Sequence, residues 1–200
     1  MSITHVFFDI GGVLGTNGWD SEQRLRAIDR FALDPEFECR HEELAGDWEN
    51  GRLTLAEYLE SAVFFTPRPF TPGEFTAFMF AQSEPYADTI AVARRVAARG
   101  DTVLMTLNNE SEELNLHRIR TFGLRDIFSA FFSSCWLGVR KPSRTIFERA
   151  LNIAQVAADD VLFVDDREQN LVPARALGFN THHYTGATLL ERELSERKLI

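Results

Sequence analysis

Four short apolar segments divide the chain, and each leads through a turn into a helical stretch. The first covers residues 3–8 and reads Ile-Thr-His-Val-Phe-Phe, without a regular alternation of apolar and polar positions. Runs of this kind are typical of strands that are buried on both faces of a parallel sheet. The other three cover residues 102–107, 130–134 and 161–164, and residues 180–183 are predicted as a fifth strand.

Residues 20–99 show a helical pattern instead. In residues 24–31 and 53–64, apolar positions recur three and four residues apart, which places them on one face of a helix. Thr54 and Thr71 each precede a glutamate by three residues, and this spacing predicts a capping box at a helix N-terminus. Prolines separate these helices from one another. The stretch therefore predicts several helices in succession.

Strands and helices alternate in the rest of the chain. Helical patterns cover residues 111–121, 142–150, 168–177 and the tail after residue 186. This alternation predicts an α/β fold, here a Rossmann-like parallel sheet with helices on both faces. The helical stretch between the first two strands is far longer than the dozen or so residues of a simple crossover. We therefore predict a Rossmann-like core formed by residues 1–15 and 90–200, with an inserted helical cap formed by residues 16–89.

Composition and charge argue against several classes of protein. The 200 residues are 44% hydrophobic and 26% charged, which is ordinary for a globular domain, and no apolar run approaches the ~20 residues of a membrane span. The net charge of -9 and the lack of a basic patch argue against a nucleic-acid partner. Cys39 and Cys135 lack paired spacing and the N-terminus lacks a secretory signal, so we expect a cytoplasmic protein without a membrane partner. The oligomeric state stays open.

Polar side chains stand where the predicted strands end, which is the edge of a parallel sheet where ligands bind. Three of them are carboxylates, and carboxylates at close range repel one another unless a cation or protons intervene. Lys141 offsets one charge, and Mg²⁺ would offset two more because it favours carboxylate oxygens, a backbone carbonyl and water. The strand ends carry Asp9, Thr106 with Asn108 and Asn109, Lys141, and Asp165 with Asp166.

Four segments in this order resemble the motifs of the haloacid dehalogenase-like (HAD) hydrolase superfamily, in its capped phosphatase branch (subfamily IA-like). They are Phe-Asp-Ile-Gly-Gly-Val-Leu at residues 8–14, Leu-Met-Thr at 104–106, Gly-Val-Arg-Lys-Pro at 138–142 and Phe-Val-Asp-Asp at 163–166. Each motif alone is common, whereas the four together are specific and span nearly the whole chain. The resemblance implies a HAD-like core with a helical cap, as the pattern itself predicts.

The resemblance also implies a function, a Mg²⁺-dependent phosphomonoesterase that acts on a small phosphorylated metabolite. Asp9 would be the nucleophile that becomes an aspartyl phosphate, which splits one difficult displacement into two easier steps. Thr106 would donate a hydrogen bond to a phosphoryl oxygen, and Lys141 would neutralise the charge on that oxygen. The implied catalytic residues are therefore Asp9, Thr106 and Lys141. The implied sets are substrate-binding Thr106, Asn108, Asn109 and Lys141, and metal-binding Asp9, Gly11, Asp165 and Asp166.

Gly11 departs from the family's pattern. Most HAD phosphatases carry a second Asp two residues after the nucleophile, and it acts as general acid and base. The backbone carbonyl of Gly11 can still bind Mg²⁺, but the residue cannot donate a proton, and general acid–base catalysis contributes ~10²–10⁴-fold. We predict a bias toward leaving groups that need little protonation, such as acyl, aryl or anomeric phosphates. Asp20 or a residue of the cap could supply the missing proton, and the sequence leaves open which one does.

Two other functions stay open at this stage. A 2-haloacid dehalogenase also uses an Asp nucleophile but needs no metal, and the acidic pair at 165–166 argues against it. A catalytically weak HAD protein that binds a phosphorylated ligand or a partner is the second, and Gly11 is its main support.

Lysine occurs in the chain only at Lys141 and Lys198, with arginine elsewhere, which suggests that position 141 requires a compact point charge.

Overall fold

The fold is built around one central parallel sheet. The computed structural model describes residues 3–200, and the strand order is β3-β2-β1-β4-β5 with every neighbouring pair parallel. This confirms the predicted Rossmann-like α/β fold. Because β1 is the central strand, its carboxyl end lies between the carboxyl ends of β2 and β4. The strands are β1 (His5–Phe8), β2 (Val103–Asn108), β3 (Ala130–Ser133), β4 (Val161–Asp165) and β5 (Asn180–His183).

Ten helices surround the sheet in the part of the chain from residue 3 onward. Both predicted capping boxes are present, at the N-termini of the third and fourth helices. Within the same residues, no helix is both long enough and apolar enough to cross a membrane. The helices are α1 (Ser21–Phe31), α2 (Phe37–Glu49), α3 (Leu55–Ala62), α4 (Pro72–Ala81), α5 (Ala87–Arg99), α6 (Glu112–Thr121), α7 (Ser134–Leu137), α8 (Arg144–Ala154), α9 (Glu168–Ala176) and α10 (Ala187–Glu196).

The start of α8 corrects one detail of the sequence analysis. The helix predicted from Pro142 begins at Arg144, because Ser143 is its N-cap and its side chain accepts a hydrogen bond from the backbone N–H of Thr145. Pro142 instead lies in the turn that carries Lys141 into the site. The short helix α7 was not predicted, since four residues are too few to show a period.

Side chains on the two faces of the sheet enter two separate hydrophobic clusters. On β1, Val6 and Phe8 join the cluster that includes α5 and α10, whereas Phe7 joins the cluster that includes α8 and α9. Successive residues of a strand point to opposite faces. Asp9 follows Phe8 and continues the ladder, its N–H donating to the carbonyl of Val164 at 2.9 Å. The alternation therefore directs Asp9 to the same face as Phe7.

Helices α1–α4 form a helical insert with a hydrophobic core of its own. Its cluster includes Trp48, Tyr58 and Phe75, and the rings of Trp48 and Tyr58 stack with centroids 4.1 Å apart. Within the insert this cluster runs from Trp19 to Met79, and Leu114 of α6 is its one buried member from elsewhere in the described residues. Helix α5 contributes to the sheet's cluster from Ile90 onward. The division into a core and a cap of residues 16–89 stays a proposal, with this separation of the clusters as its support.

Candidate active site

A cavity of about 410 Å³ opens at the carboxyl end of the sheet, between the strand ends and the helical insert. The strand ends contribute Asp9 and Lys141, and α2 contributes His41 and Trp48. Charged and polar side chains form most of the wall. The lining comprises Asp9, Gly11, Asn17, Trp19, Asp20, Arg24, His41, Ala45, Trp48, Glu49, Asn109, Glu110, Arg118, Arg140, Lys141, Pro142, Arg167, Gln169 and Asn170.

Lys141 holds the centre of the site. Its side chain is 1% exposed, and Nζ lies 3.0 Å from Asp9 Oδ2 and 2.7 Å from Asp165 Oδ2. Nζ also donates to the carbonyl of Leu107 at 2.9 Å. Asn109 fixes the backbone of Lys141 through two hydrogen bonds, one donated to its carbonyl at 2.9 Å and one accepted from its N–H at 2.8 Å. Asn109 lines the cavity and positions the lysine.

Asp9 lies at the floor of the cavity. Oδ1 accepts a hydrogen bond from the N–H of Ile10 at 2.8 Å, and Oδ2 faces Lys141. Burial raises the pKa of the Asp9 carboxyl to about 7, although the Lys141 ammonium acts in the opposite direction; Asp165 and Asp166 add to the rise. A further cation beside these carboxylates would favour the ionised form of Asp9, which is the form a nucleophile needs.

Asp165 and Asp166 differ in how their carboxylates are partnered. Asp165 accepts hydrogen bonds from Lys141, from the N–H of Arg167 at 2.8 Å and from Asn170 Nδ2 at 3.0 Å. Burial alone would raise the pKa of Asp165, but Lys141 and these hydrogen bonds outweigh it and lower the pKa. Oδ1 of Asp166 is buried and has no hydrogen-bond partner among the residues that the structure describes. Asp165 thus organises the site, while Asp166 has a free ligand atom.

The carboxylates form a cluster that fits Mg²⁺. One oxygen each from Asp9, Asp165 and Asp166 lies within 4.8 Å of the others. Burial and then the charge of Asp165 raise the pKa of Asp166, so the cluster has an excess of negative charge beyond what Lys141 neutralises. Glycine at position 12 leaves room for the Asp166 carboxylate, because at its φ of 73° a Cβ would lie 2.2 Å from Asp166 Oδ2. Hard oxygen ligands without nitrogen or sulfur are the set that Mg²⁺ prefers.

Two of the predicted substrate-binding residues do not reach the cavity. Thr106 is paired with Phe8 in the sheet register, so its side chain points to the face opposite Asp9. Its Oγ1 is buried, finds no hydrogen-bond partner within residues 3–200, and does not line the cavity. Asn108 is also buried and donates to Asn115 Oδ1 at 3.1 Å. Of the predicted substrate-binding set, the structure brings Asn109 and Lys141 to the cavity.

Glu110 and Arg118 are two cavity residues that the sequence analysis missed. Arg118 is 1% exposed, and its Nη1 lies 2.9 Å from Glu110 Oε2. A Cβ placed on Gly11 would lie 3.0 Å from Asn17 Oδ1 and 3.5 Å from Arg118 Nη1. Arg118 therefore borders the space that a side chain at position 11 would enter. Glu110 lies two residues after the end of β2 and was open to the same strand-end reasoning, whereas a lone arginine within α6 carries no signal.

His41 brings a neutral hydrogen-bond donor into the cavity from the insert. Its Nδ1 lies 2.9 Å from the hydroxyl of Tyr58, which also accepts a hydrogen bond from Trp19 Nε1 at 3.1 Å. His41 Nδ1 is the one acceptor that the hydroxyl hydrogen of Tyr58 finds among the described residues, so we assign this bond as donated by Tyr58, which leaves the proton of the imidazole on Nε2. Burial, with a contribution from Arg24, lowers the pKa of His41 to about 4.

Two ion pairs join the insert to the core at the rim of the cavity. Asp20, the N-cap of α1, lies 2.6 Å from Arg167, and Glu49 at the end of α2 lies 2.8 Å from Arg140. All four side chains are partly exposed, so each pair contributes little to stability. Arg68 pairs with Asp34 away from the cavity. The two pairs at the rim therefore add little to the hold of the insert on the core.

Comparison with known proteins identifies the family. A family model described as haloacid dehalogenase-like hydrolase matches residues 3–178. The chain belongs to this family. The match covers all four motifs and confirms the resemblance seen in the sequence.

The curated relatives of this HAD-like hydrolase include two fungal proteins. A sesquiterpene phosphatase from Aspergillus oryzae is 28% identical over 130 residues, which cover 62% of this chain and 65% of that protein. A drimenol cyclase from Aspergillus calidoustus is 26% identical over 207 residues, 95% of this chain and 35% of the cyclase. The hydrolase thus spans less than two thirds of the length of either relative.

Solved structures show the same fold at low sequence identity. A HAD family enzyme from Bacteroides thetaiotaomicron is 21% identical, with a TM-score of 0.78 over 95% of this chain and 99% of that one. The same enzyme in complex with magnesium and inorganic phosphate gives a TM-score of 0.75 over 90% and 93% of the two chains. An L-2-haloacid dehalogenase is 18% identical, with a TM-score of 0.69 over 98% and 100%.

Proposed function

We propose that this HAD-like hydrolase is a Mg²⁺-dependent phosphatase that removes the phosphoryl group of a small phosphorylated metabolite through an aspartyl phosphate on Asp9. The observation that carries the proposal is the cluster of three carboxylates and one ammonium at the floor of the cavity, in which Asp166 is half-buried and the other groups are buried. A phosphatase among the curated relatives supports it.

The proposed reaction assigns separate tasks to the residues of the cluster. Lys141 holds Asp9 Oδ2 in place and favours the ionised form of the carboxylate. An oxygen of Asp9 attacks phosphorus, the bond to the leaving oxygen breaks, and water then attacks the aspartyl phosphate to release phosphate and restore Asp9. When bound by Asp9, Asp166 and the carbonyl of Gly11, Mg²⁺ would offset the charge on the transferring phosphoryl group. Asp165 holds the Lys141 ammonium and the turn after β4 in place through the hydrogen bonds that it accepts from Lys141 and from the N–H of Arg167.

The wall of the cavity supports a small and polar substrate. His41 offers a neutral donor, which suits a hydroxyl or carbonyl group. Trp19 and Trp48 offer two aromatic surfaces from the insert. We propose that residues 16–89 act as a cap whose closure excludes water, a gating role common in enzymes with mobile covers. The free thiols of Cys39 and Cys135 fit the cytoplasmic location predicted from the sequence.

The dehalogenase alternative has less support from the site. A dehalogenase among the structural neighbours shares the fold at 18% identity, which carries no information on the reaction. Three carboxylates around a single ammonium leave negative charge that a metal-free enzyme has to tolerate in a buried site. The cluster therefore favours the phosphatase over the dehalogenase.

The test is phosphate release from a panel of phosphorylated metabolites, with and without Mg²⁺, and chloride release from chloroacetate. We expect phosphate release that requires Mg²⁺, stops in excess EDTA and is lost in Asp9→Asn. Full activity in EDTA would remove the metal from the proposal. Release of chloride in place of phosphate would favour the dehalogenase, and binding of phosphorylated ligands without turnover would favour the catalytically weak HAD protein.

A further inference from the structure

The proposed phosphatase needs a proton for its leaving group, and position 11 cannot supply one. Asp20, a candidate from the sequence, is bonded to Arg167 at the rim and its side chain is 39% exposed. Asp20 is therefore held at the water-exposed rim, whereas Asp9 lies at the floor of the cavity. The source has to be a more buried group that faces the same cavity.

Glu110 meets this requirement by its position. It is 7% exposed and lines the cavity that contains Asp9. Its backbone is fixed at the end of β2, because its N–H donates to Ser134 Oγ at 3.0 Å. One carboxylate oxygen faces Arg118, and the other accepts a hydrogen bond from the N–H of Ser111 at 3.2 Å. The side chain is therefore held and is not free to swing into solvent.

The guanidinium of Arg118 relates Glu110 to the position of the missing acid. Its Nη1 is 2.9 Å from Glu110 Oε2 and 3.5 Å from the place that a Cβ of residue 11 would take. A carboxyl group at position 11 and the carboxyl group of Glu110 would thus contact the same nitrogen. We propose that Glu110 is the general acid–base residue of this hydrolase, with Arg118 as the residue that positions it. This inference rests on the proposed phosphatase function.

The proton balance of the two steps is complete with Glu110 in this role. In the first step the protonated carboxyl of Glu110 gives its proton to the leaving oxygen as the phosphorus–oxygen bond breaks, and the products are an alcohol, the aspartyl phosphate and the Glu110 carboxylate. In the second step that carboxylate takes a proton from the attacking water, and inorganic phosphate leaves Asp9. The enzyme returns to its starting protonation state.

The electrostatics of the pocket agree with a residue that changes protonation near neutral pH. Burial raises the pKa of Glu110 to about 7, against the opposing effect of Arg118, and the nearby carboxylate of Glu49 adds to the rise. General acids and bases work best when their pKa lies near the working pH. If Glu110 acts in this way, the bias toward easily lost leaving groups predicted from Gly11 disappears in the native enzyme and returns when Glu110 is replaced.

The experiment compares two substrates that differ in their need for a proton. For glycerol 2-phosphate, a poor alkoxide leaving group needs protonation, whereas for 4-nitrophenyl phosphate the phenolate leaves without it. We expect Glu110→Gln to lower the ratio of kcat/KM for the alkyl substrate to kcat/KM for the aryl substrate by about 100-fold or more. The matched control is Glu112→Gln, the same change at an exposed position outside the cavity, which should leave the ratio as in the native enzyme.

A merely structural role gives a different result. If Glu110→Gln lowers kcat/KM for both substrates by the same factor, or leaves the ratio within threefold, about the spread of ordinary context effects, the proposal is wrong. If the variant does not fold, the native enzyme decides: the ratio should fall as the pH rises from 6 to 9, and a ratio that is constant with pH overturns the proposal. A native enzyme that hydrolyses neither substrate and forms no aspartyl phosphate would instead overturn the proposed function itself, and the role of Glu110 with it.

Discussion

Replacing Lys141 with methionine tests how the site is held together, independently of any substrate. The ammonium is 1% exposed and has three acceptors, Asp9, Asp165 and the carbonyl of Leu107, at 2.7–3.0 Å. Methionine has nearly the same length but no charge, so the cavity created is small. The loss is therefore electrostatic: two buried carboxylates lose their cation and face each other.

The magnitude follows from the burial of this cluster. Removing one partner of a buried ion pair costs about 3–5 kcal/mol, because the remaining charge is left uncompensated. For a chain of this size, each kcal/mol lowers Tm by about 2–4 °C, so Lys141→Met should melt roughly 6–20 °C below the native protein. The loss should be larger at pH 8 than at pH 5: without the cation, the folded-state pKa of Asp9 rises further, and the penalty is present only where that carboxyl is ionised.

Urea unfolding in EDTA at the two pH values measures this directly. Lys198→Met is the matched control, since Lys198 is the other lysine of the chain and is exposed. We expect that control to change the free energy of unfolding by less than about 0.5 kcal/mol. Lys141→Arg should also be less stable than the native protein, because a planar guanidinium does not fit three acceptors arranged around a compact ammonium. A loss for Lys141→Met as small as that of the control would refute this reasoning.

Two further predictions concern Asp9 and Thr106. The pKa of Asp9 is raised from 3.8 to about 7, so in EDTA the folded protein keeps a proton that the unfolded chain has lost across this range, and stability should fall as the pH rises from 4 to 7. In urea unfolding, Asp9→Asn should make that slope shallower, while Glu110, whose pKa is also raised to about 7, keeps part of it. An unchanged slope would contradict the shift of Asp9. Thr106→Val removes a buried hydroxyl that has no partner in the described part of the chain, so the free energy of unfolding should rise by about 1–3 kcal/mol. A hundredfold loss of kcat in Thr106→Val would show instead that this hydroxyl reaches the phosphoryl group, as the motif predicts.

The sequence was sufficient to predict the sheet and the acidic cluster, because both depend on local signals. Asp9 and the pair at 165–166 follow apolar runs directly, and the rule that parallel strands bring their carboxyl ends to one edge places them together. Lys141 was recognised from a motif and from the scarcity of lysine. In the structure its ammonium lies between Asp9 and Asp165, as the neutralisation argument expects.

The remaining parts of the site depend on geometry that the sequence does not express. Thr106 and Asp9 stand at similar places in their strands, but a one-residue difference in register directs them to opposite faces of the sheet. Arg118 reaches the cavity from the last turn of α6, where an arginine is usually a surface residue. His41 becomes a neutral donor through Tyr58 and Trp19, which come from separate segments of the insert.

The most direct test of the account is to identify the residue that carries the phosphoryl group. The native protein is incubated with a substrate from the panel and Mg²⁺, quenched in acid and reduced with borohydride, and the peptides are analysed by mass spectrometry. We predict reduction at Asp9 in the native protein and none in Asp9→Asn. Turnover without modification of Asp9, or modification at another carboxylate such as Asp166, would contradict the central claim.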